Sequence, residues 1–227
     1  AYTDQATNCT STLSQQVQIV GLQFTQQPTI STATVCANQS VTLNFNLNCP
    51  GTTVFKAELS DNKGGFNTPV NLGNVTPGVD NVLTMPYQSV SGTDYRIRVS
   101  SVGIANAVSA TSTTALAITG LSIAAPTVQG LVCQNTPITF TLVINGNCSF
   151  PGDNQFKAQL SDAKGSFQIP TDLGLVTVGS NTIPAERLQG LPVGTGYRIR
   201  VLSSKPQTTS PGSLPFGIKG PALTGSP

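Results

Sequence analysis

The side chains of this sequence best equipped for chemistry are five cysteines: Cys9, Cys36, Cys49, Cys133 and Cys148. None belongs to a Cys-x-x-Cys pair, the chain has no histidine, and no carboxylates cluster near the cysteines. That spacing argues against a zinc site. Two readings stay open. Buried reduced thiols would pack as small hydrophobes, whereas disulfides would suit an oxidising, secretory setting. The composition fits disulfides better, and an odd count then leaves one thiol free or paired with another chain.

Two further motifs invite a chemical reading. Ser60-Asp61-Asn62-Lys63-Gly64 and Ser161-Asp162-Ala163-Lys164-Gly165 suggest calcium loops. Calcium, however, takes roughly six to eight oxygens, several from carboxylates, and each loop offers one Asp beside a repelling Lys. An Asx-type turn ending in a glycine at positive φ is the better expectation. Arg96, Arg98, Arg198 and Arg200 alternate with Tyr, Ile and Val. They read as solvent-facing positions on a sheet with Glu58 as a cross-strand partner, with a basic binding ridge as the sharper alternative.

Whole classes of function drop out on composition. Without histidine, and with nine acids scattered from Asp4 to Glu186, no Ser/His/Asp, Cys/His or paired-carboxylate constellation forms. The sequence therefore predicts no enzyme and no metal or cofactor requirement. Net charge is +2, and nothing makes the basic stripe of a nucleic-acid binder. No apolar run approaches the roughly 20 residues of a membrane span. Tryptophan is absent; of Tyr2, Tyr87, Tyr95 and Tyr197, the last two read as inward-facing, which leaves a poor platform for sugars.

A repeat positions these residues. Phe55-Lys56-Ala57-Glu58-Leu59-Ser60-Asp61 returns as Phe156-Lys157-Ala158-Gln159-Leu160-Ser161-Asp162, 101 residues on. Tyr95-Arg96-Ile97-Arg98-Val99 returns as Tyr197-Arg198-Ile199-Arg200-Val201, and Val35-Cys36-Ala37-Asn38 as Val132-Cys133-Gln134-Asn135, at offsets of 102 and 97. A period near 100 residues means complete domains rather than a solenoid of short units. Val41 to Leu47 and Phe55 to Leu59 alternate apolar and polar residues, the mark of half-buried strands. Gly, Pro, Thr and Asn clusters separate such runs at the spacing of a sandwich.

The reading is all-β: two tandem immunoglobulin-like or fibronectin-III-like β-sandwiches with an N-terminal extension strand. The expected boundaries are an extension over 1–22, sandwiches over 23–120 and 121–220, and a tail over 221–227. Gly120 to Pro126 forms a short, partly apolar linker suited to a stiff rod. Val17-Gln18-Ile19-Val20-Gly21-Leu22 matches Leu116-Ala117-Ile118-Thr119-Gly120-Leu121. It reads as a last strand without its own domain, either the remnant of a longer array or a strand that pairs elsewhere. There is no charged segment followed by an apolar one at the start, and Ala1-Tyr2-Thr3-Asp4 suits a mature, exported N-terminus.

Val-Cys-x-Asn, then Phe-Lys-Ala-x-Leu-Ser-Asp-x-Lys-Gly-x-Phe, then Gly-Thr-x-Tyr-Arg-Ile-Arg-Val-x-Ser-Ser resembles the tandem immunoglobulin-like repeats of secreted and cell-surface proteins of Bacteroidota. Gly194 to Ser204 is the closest stretch, and the resemblance covers nearly all of residues 23–220. It implies an extracellular stacked module and carries over no catalytic residue. Cys49, Cys148 and the N-terminal strand stand outside the pattern. The expected function is a non-catalytic structural or adhesive protein, a repeating subunit of a surface fibre. The alternative is a ligand- or carbohydrate-binding module of a larger adhesin. Expected partners are further copies of the chain or adjacent immunoglobulin-like domains.

Strand length also bears on the cysteines. Cys36 precedes the strand Val41–Leu47 and Cys49 follows it, so about eight residues at about 3.3 Å each hold them roughly 26 Å apart. A disulfide tolerates Cα separations of only about 4.4–6.8 Å. Disulfides should therefore link ends of neighbouring domains: Cys36 to Cys148 within the chain, and Cys133 of one chain near Cys49 of the next. Cys9 is left unassigned.

Overall fold

A computed structural model describes residues 2–4, 9–11, 21–49, 51–104, 107–130 and 132–220, with the first two segments and Asn147 described by backbone alone. Val17 to Val20 and the tail 221–227 lie outside the described residues. Tyr2–Asp4 and Cys9–Ser11 pair as a short antiparallel ribbon. Among the described residues, helix is confined to two 3-10 turns, Asn145–Asn147 and Ala185–Leu188.

Each repeat is an immunoglobulin-like sandwich. In the first, Phe24–Ile30, Ser40–Leu47 and Asn81–Thr84 form one antiparallel sheet. Opposite it, Val70–Val75, Val54–Leu59, Ile97–Val102 and Ser109–Thr111 form a second. A third, three-stranded group sets Leu116–Thr119 between Gly92–Tyr95 and Thr34–Cys36, with the last pair parallel. The second repeat reproduces this order. Ile138–Leu142 lies between Thr127–Gln129 and Gly179–Ile183, and Phe156–Leu160 between Thr171–Val176 and Ile199–Ser204. Val132–Cys133 runs parallel to Phe216–Lys219.

Alternation in the sequence becomes burial in the fold. Along Ser40–Leu47, Val41, Leu43, Phe45 and Leu47 are buried, while Thr42, Asn44 and Asn46 are half-buried on the outer face. The first core gathers Leu43, Phe45, Phe55, Leu59, Ile97 and Leu116. The second gathers Ile138, Phe140, Leu142, Leu160, Tyr197 and Ile199. At about 1.5–3 kcal/mol for each fully buried aliphatic or aromatic side chain, two separate cores of this kind supply the driving force for two sandwiches. Leu22 packs against the first core, and Asn48 Nδ2 donates to Gly21 O at 2.9 Å.

Two serines per repeat mend the break in the strand that carries the Tyr-Arg-Ile motif. Arg96 N donates to Ser60 Oγ at 2.8 Å and Ile97 N to Ser112 Oγ at 3.2 Å. Arg198 N and Ile199 N do the same with Ser161 and Ser213, at 2.8 and 3.0 Å. All four serines are buried. The hydroxyls stand in for ladder bonds that the break removes, so no amide there goes without an acceptor.

Tyr95 and Tyr197 are inward-facing, and their hydroxyls donate to Val90 O and Pro192 O at 2.9 and 2.7 Å. Each bond reaches back five residues to the loop before the strand, the arrangement known as a tyrosine corner.

Candidate functional site

Of the residues with chemical potential, Cys36 and Cys148 meet at the junction between the repeats. Leu121 joins the first core and Ile123 the second, so the linker is buried at both ends. Ile123 bridges to Ile144, Ala124 N donates to Val143 O at 2.9 Å, and Asn145 N donates to Ser122 O at 3.1 Å. These bonds hold the linker against the top loop of the second repeat.

That loop carries Cys148, which is bonded to Cys36 with an S–S distance of 2.05 Å and a Cα–Cα distance of 5.6 Å. The bond spans 112 residues and joins the bottom of the first sandwich to the top of the second. Cys148 is 4% exposed and packs within the first core although it belongs to the second repeat. Gly146 permits the close approach. It sits at φ 72°, and a Cβ there would lie 2.9 Å from Thr119 Cγ2. Phe150, two residues beyond Cys148, packs against both cores and meets Phe156 edge-on at 5.0 Å.

The other cysteines are not part of this joint. Cys49 and Cys133 are unpaired and exposed. Cys9 belongs to the strand Cys9–Ser11, and its side chain lies outside the described residues.

Next to the disulfide joint, a cleft of about 660 Å³ is lined by Tyr87, Val90, Gly120, Leu121, Lys205 and Pro206. Lys205 Nζ stands 5.3 Å from the centre of the Tyr87 ring and 2.7 Å from Asp153 Oδ2. The ring is half-buried and lies beneath a lysine.

The loops read as turns are turns. Asp61 Oδ1 accepts from Lys63 N and Gly65 N at 2.9 and 2.8 Å, and Gly64 has φ 81°. Asp162 Oδ1 accepts from Lys164 N and Ser166 N at 2.9 and 2.8 Å, and Gly165 has φ 86°. The amides of Gly65 and Lys63 hold the Asp61 carboxyl below its ordinary range. Each carboxylate is committed to its own backbone. Among the described residues, no group of three or more His, Cys, Asp or Glu is placed to hold a metal ion.

The four arginines are tied down as well. Arg98 pairs with Glu58 and lies 4.4 Å over Phe66, and Arg200 donates to Gln159 and lies 4.4 Å over Phe167. Arg96 Nη1 donates to Ser112 O and Thr113 O, and Arg198 Nη1 to Ser213 O. Spent on these partners, the guanidinium groups brace the sheet.

Two contributors to the joint escaped the sequence reading. Phe150 drew no reading; its signal is that the second repeat inserts Ser149-Phe150 between its cysteine and Pro-Gly where the first repeat has none. Gly146 showed no signal, because its role depends on Thr119 of the other repeat.

A scan of protein-family models finds no match to the chain. A search of curated proteins finds none either. Among solved structures, a biofilm associated protein, BSP domain, is 18% identical over 88% of this chain, with a TM-score of 0.28. This chain spans 30% of that protein's length. The chicken CNTN1 FN1-FN3 domains are 13% identical over 85% of this chain and 67% of theirs, with a TM-score of 0.31. A chimeric titin Z1Z2-Z1Z2 tandem is 16% identical over 89% of this chain and all 100% of its own, with a TM-score of 0.28. The fold assignment rests on this chain's own strand order, and likenesses at this level add nothing to it.

Proposed function

We propose that this chain is a non-catalytic, extracellular structural or adhesive module that serves as a repeating subunit of a surface fibre. The observation that carries this reading is the junction, where a disulfide, a two-sided aromatic wedge and a linker buried at both ends join two sandwiches. Such a joint resists bending and suits a load-bearing stack. The disulfide supports export to an oxidising compartment, and the repeat motifs support kinship with the stacked immunoglobulin-like repeats of Bacteroidota surface proteins.

The rival reading, a ligand- or carbohydrate-binding module of a larger adhesin, would use the cleft beside the joint. Its one aromatic face, Tyr87, lies under Lys205, which favours the structural reading. Negative-stain microscopy of the purified chain tests the choice. Filaments are expected. A monodisperse monomer that binds defined glycans on an array would favour the rival.

A further inference from the structure

The joint uses one cysteine from each repeat and leaves its mirror half on each. Cys133 is the structural equivalent of Cys36. Cys36 stands opposite Thr119 in a parallel strand pair, and Cys133 stands opposite Lys219 in the matching pair. The next amide in each donates to the same carbonyl: Ala37 N to Thr119 O at 2.9 Å, Gln134 N to Lys219 O at 2.8 Å. Both cysteines lead into a turn with a left-handed asparagine, Asn38 at φ 68° and Asn135 at φ 59°. Cys49 in turn is the counterpart of Cys148. Each follows an asparagine in the matching loop, Cys49 between Ser40–Leu47 and Val54–Leu59 and Cys148 between Ile138–Leu142 and Phe156–Leu160, and each precedes a Pro-Gly pair.

Cys49 and Cys133 therefore sit at opposite outer ends of the pair of sandwiches, unpaired and exposed. Their counterparts Cys148 and Cys36 meet at the inner joint, so one copy holds these two at its two ends and cannot close them. We propose that Cys133 of one copy and Cys49 of the next form an intermolecular disulfide, which repeats between copies the bond made by Cys36 and Cys148 within each. The proposal rests on the fibre reading and names its partner, a second copy of this chain.

The chemistry is thiol–disulfide exchange with a small disulfide of the oxidised-glutathione class. The Cys133 thiolate attacks one sulfur of that disulfide and expels a first small thiolate. The Cys49 thiolate of the next copy attacks the mixed disulfide at the Cys133 sulfur and expels a second. Two protein thiols are oxidised, one small disulfide is reduced to two thiols, and the two cysteine protons pass to the leaving thiolates.

The joint between copies differs from the internal one in three respects. The first repeat's loop runs Cys49-Pro50-Gly51, without a counterpart of Phe150, and Lys219 replaces Thr119. It also lacks a covalent linker. With less apolar contact to hold the copies together, linkage between them depends on the disulfide and dissolves on reduction.

The experiment uses the full chain with Cys9→Ser throughout, oxidised by glutathione disulfide, with melting temperatures confirming that every variant folds. The chain with all four remaining cysteines should give a reducible ladder on non-reducing gels. Cys49→Ser and Cys133→Ser should each lose the ladder when alone and give dimer only when mixed. Mass spectrometry of the digest should recover a Cys49–Cys133 peptide. A monomer under these conditions, or symmetric Cys49–Cys49 or Cys133–Cys133 links, would overturn the proposal. Filaments formed by the Cys49→Ser, Cys133→Ser double variant would overturn it while sparing the fibre reading. Absence of long filaments alongside a Cys49–Cys133 peptide from short oligomers would uphold the bond and sink the fibre.

Discussion

Arg98 donates through Nε and Nη2 to a single oxygen of Glu58, at 3.1 and 2.8 Å, while Lys56 Nζ holds the other oxygen at 2.6 Å. The second repeat replaces this acid with Gln159, which accepts from Arg200 Nε at 2.9 Å. Two copies of one fold thus carry a charged and a neutral version of the same contact.

Acid should separate the two versions. Burial pushes the Glu58 carboxyl up, but hydrogen bonds from Lys56 and Arg98, with their charges, outweigh it and leave the group below its ordinary value. A depressed folded-state value means a contribution fully present above the unfolded value of about 4.3, and lost as pH falls through the folded one. Urea midpoints followed from about pH 5 down to about pH 2 should fall more gently in Glu58→Gln than in the parent. Parallel curves would show that the pair adds nothing pH-dependent to stability.

Removing one hydroxyl tests the tyrosine corners. Tyr95→Phe and Tyr197→Phe keep the buried ring and delete only the bond to Val90 O or Pro192 O. Each should cost about 1 kcal/mol in urea unfolding, the net worth of an intramolecular hydrogen bond. Equal losses in the two repeats would follow from their matched geometry.

Phe150→Ala should act on the joint rather than on either core. The ring is half-buried between the cores, so the cost should fall below the roughly 3–5 kcal/mol of a fully buried Phe. The informative readout is limited proteolysis within Gly120 to Pro126, which should quicken with the Cys36–Cys148 bond still formed. Unchanged cleavage would mean that the disulfide and linker hold the repeats without the wedge.

Cys36→Ser with Cys148→Ser should preserve the β-sheet dichroism, because each sandwich has its own core. Small-angle scattering should then report a broader spread of inter-repeat arrangements. In the chain-entropy account, a cross-link closing a loop of this order adds up to about 4.7 kcal/mol if the whole chain unfolds together. A loss that large would show that the repeats unfold as one unit; a much smaller loss would show that they unfold separately.

The repeat and the two-residue alternation carry most of the architecture within the sequence itself. Alternation is local: a strand with one buried face writes its apolar residues at every second position, as in Val41, Leu43, Phe45 and Leu47. Strand length likewise kept Cys36 from Cys49, because an extended chain has a fixed rise per residue. The serines Ser60, Ser112, Ser161 and Ser213 stayed hidden, since a hydroxyl that mends a strand break looks like any loop serine until the break is seen. Glu58 was legible as a partner for Arg98 but not as a buried one, because alternation puts it on the outer face of its strand, where it is nonetheless 6% exposed. Strand length named the Cys36–Cys148 pair, and the structure forms it; the contacts that hold the joint belong to the tertiary structure. The bonding distance between Cys36 and Cys148 depends on how two sandwiches rest on Leu121, Ile123 and Phe150. That pose is set by contacts between the repeats and along their linker, such as Gly146 against Thr119 and Ile123 against Ile144, which no local period encodes.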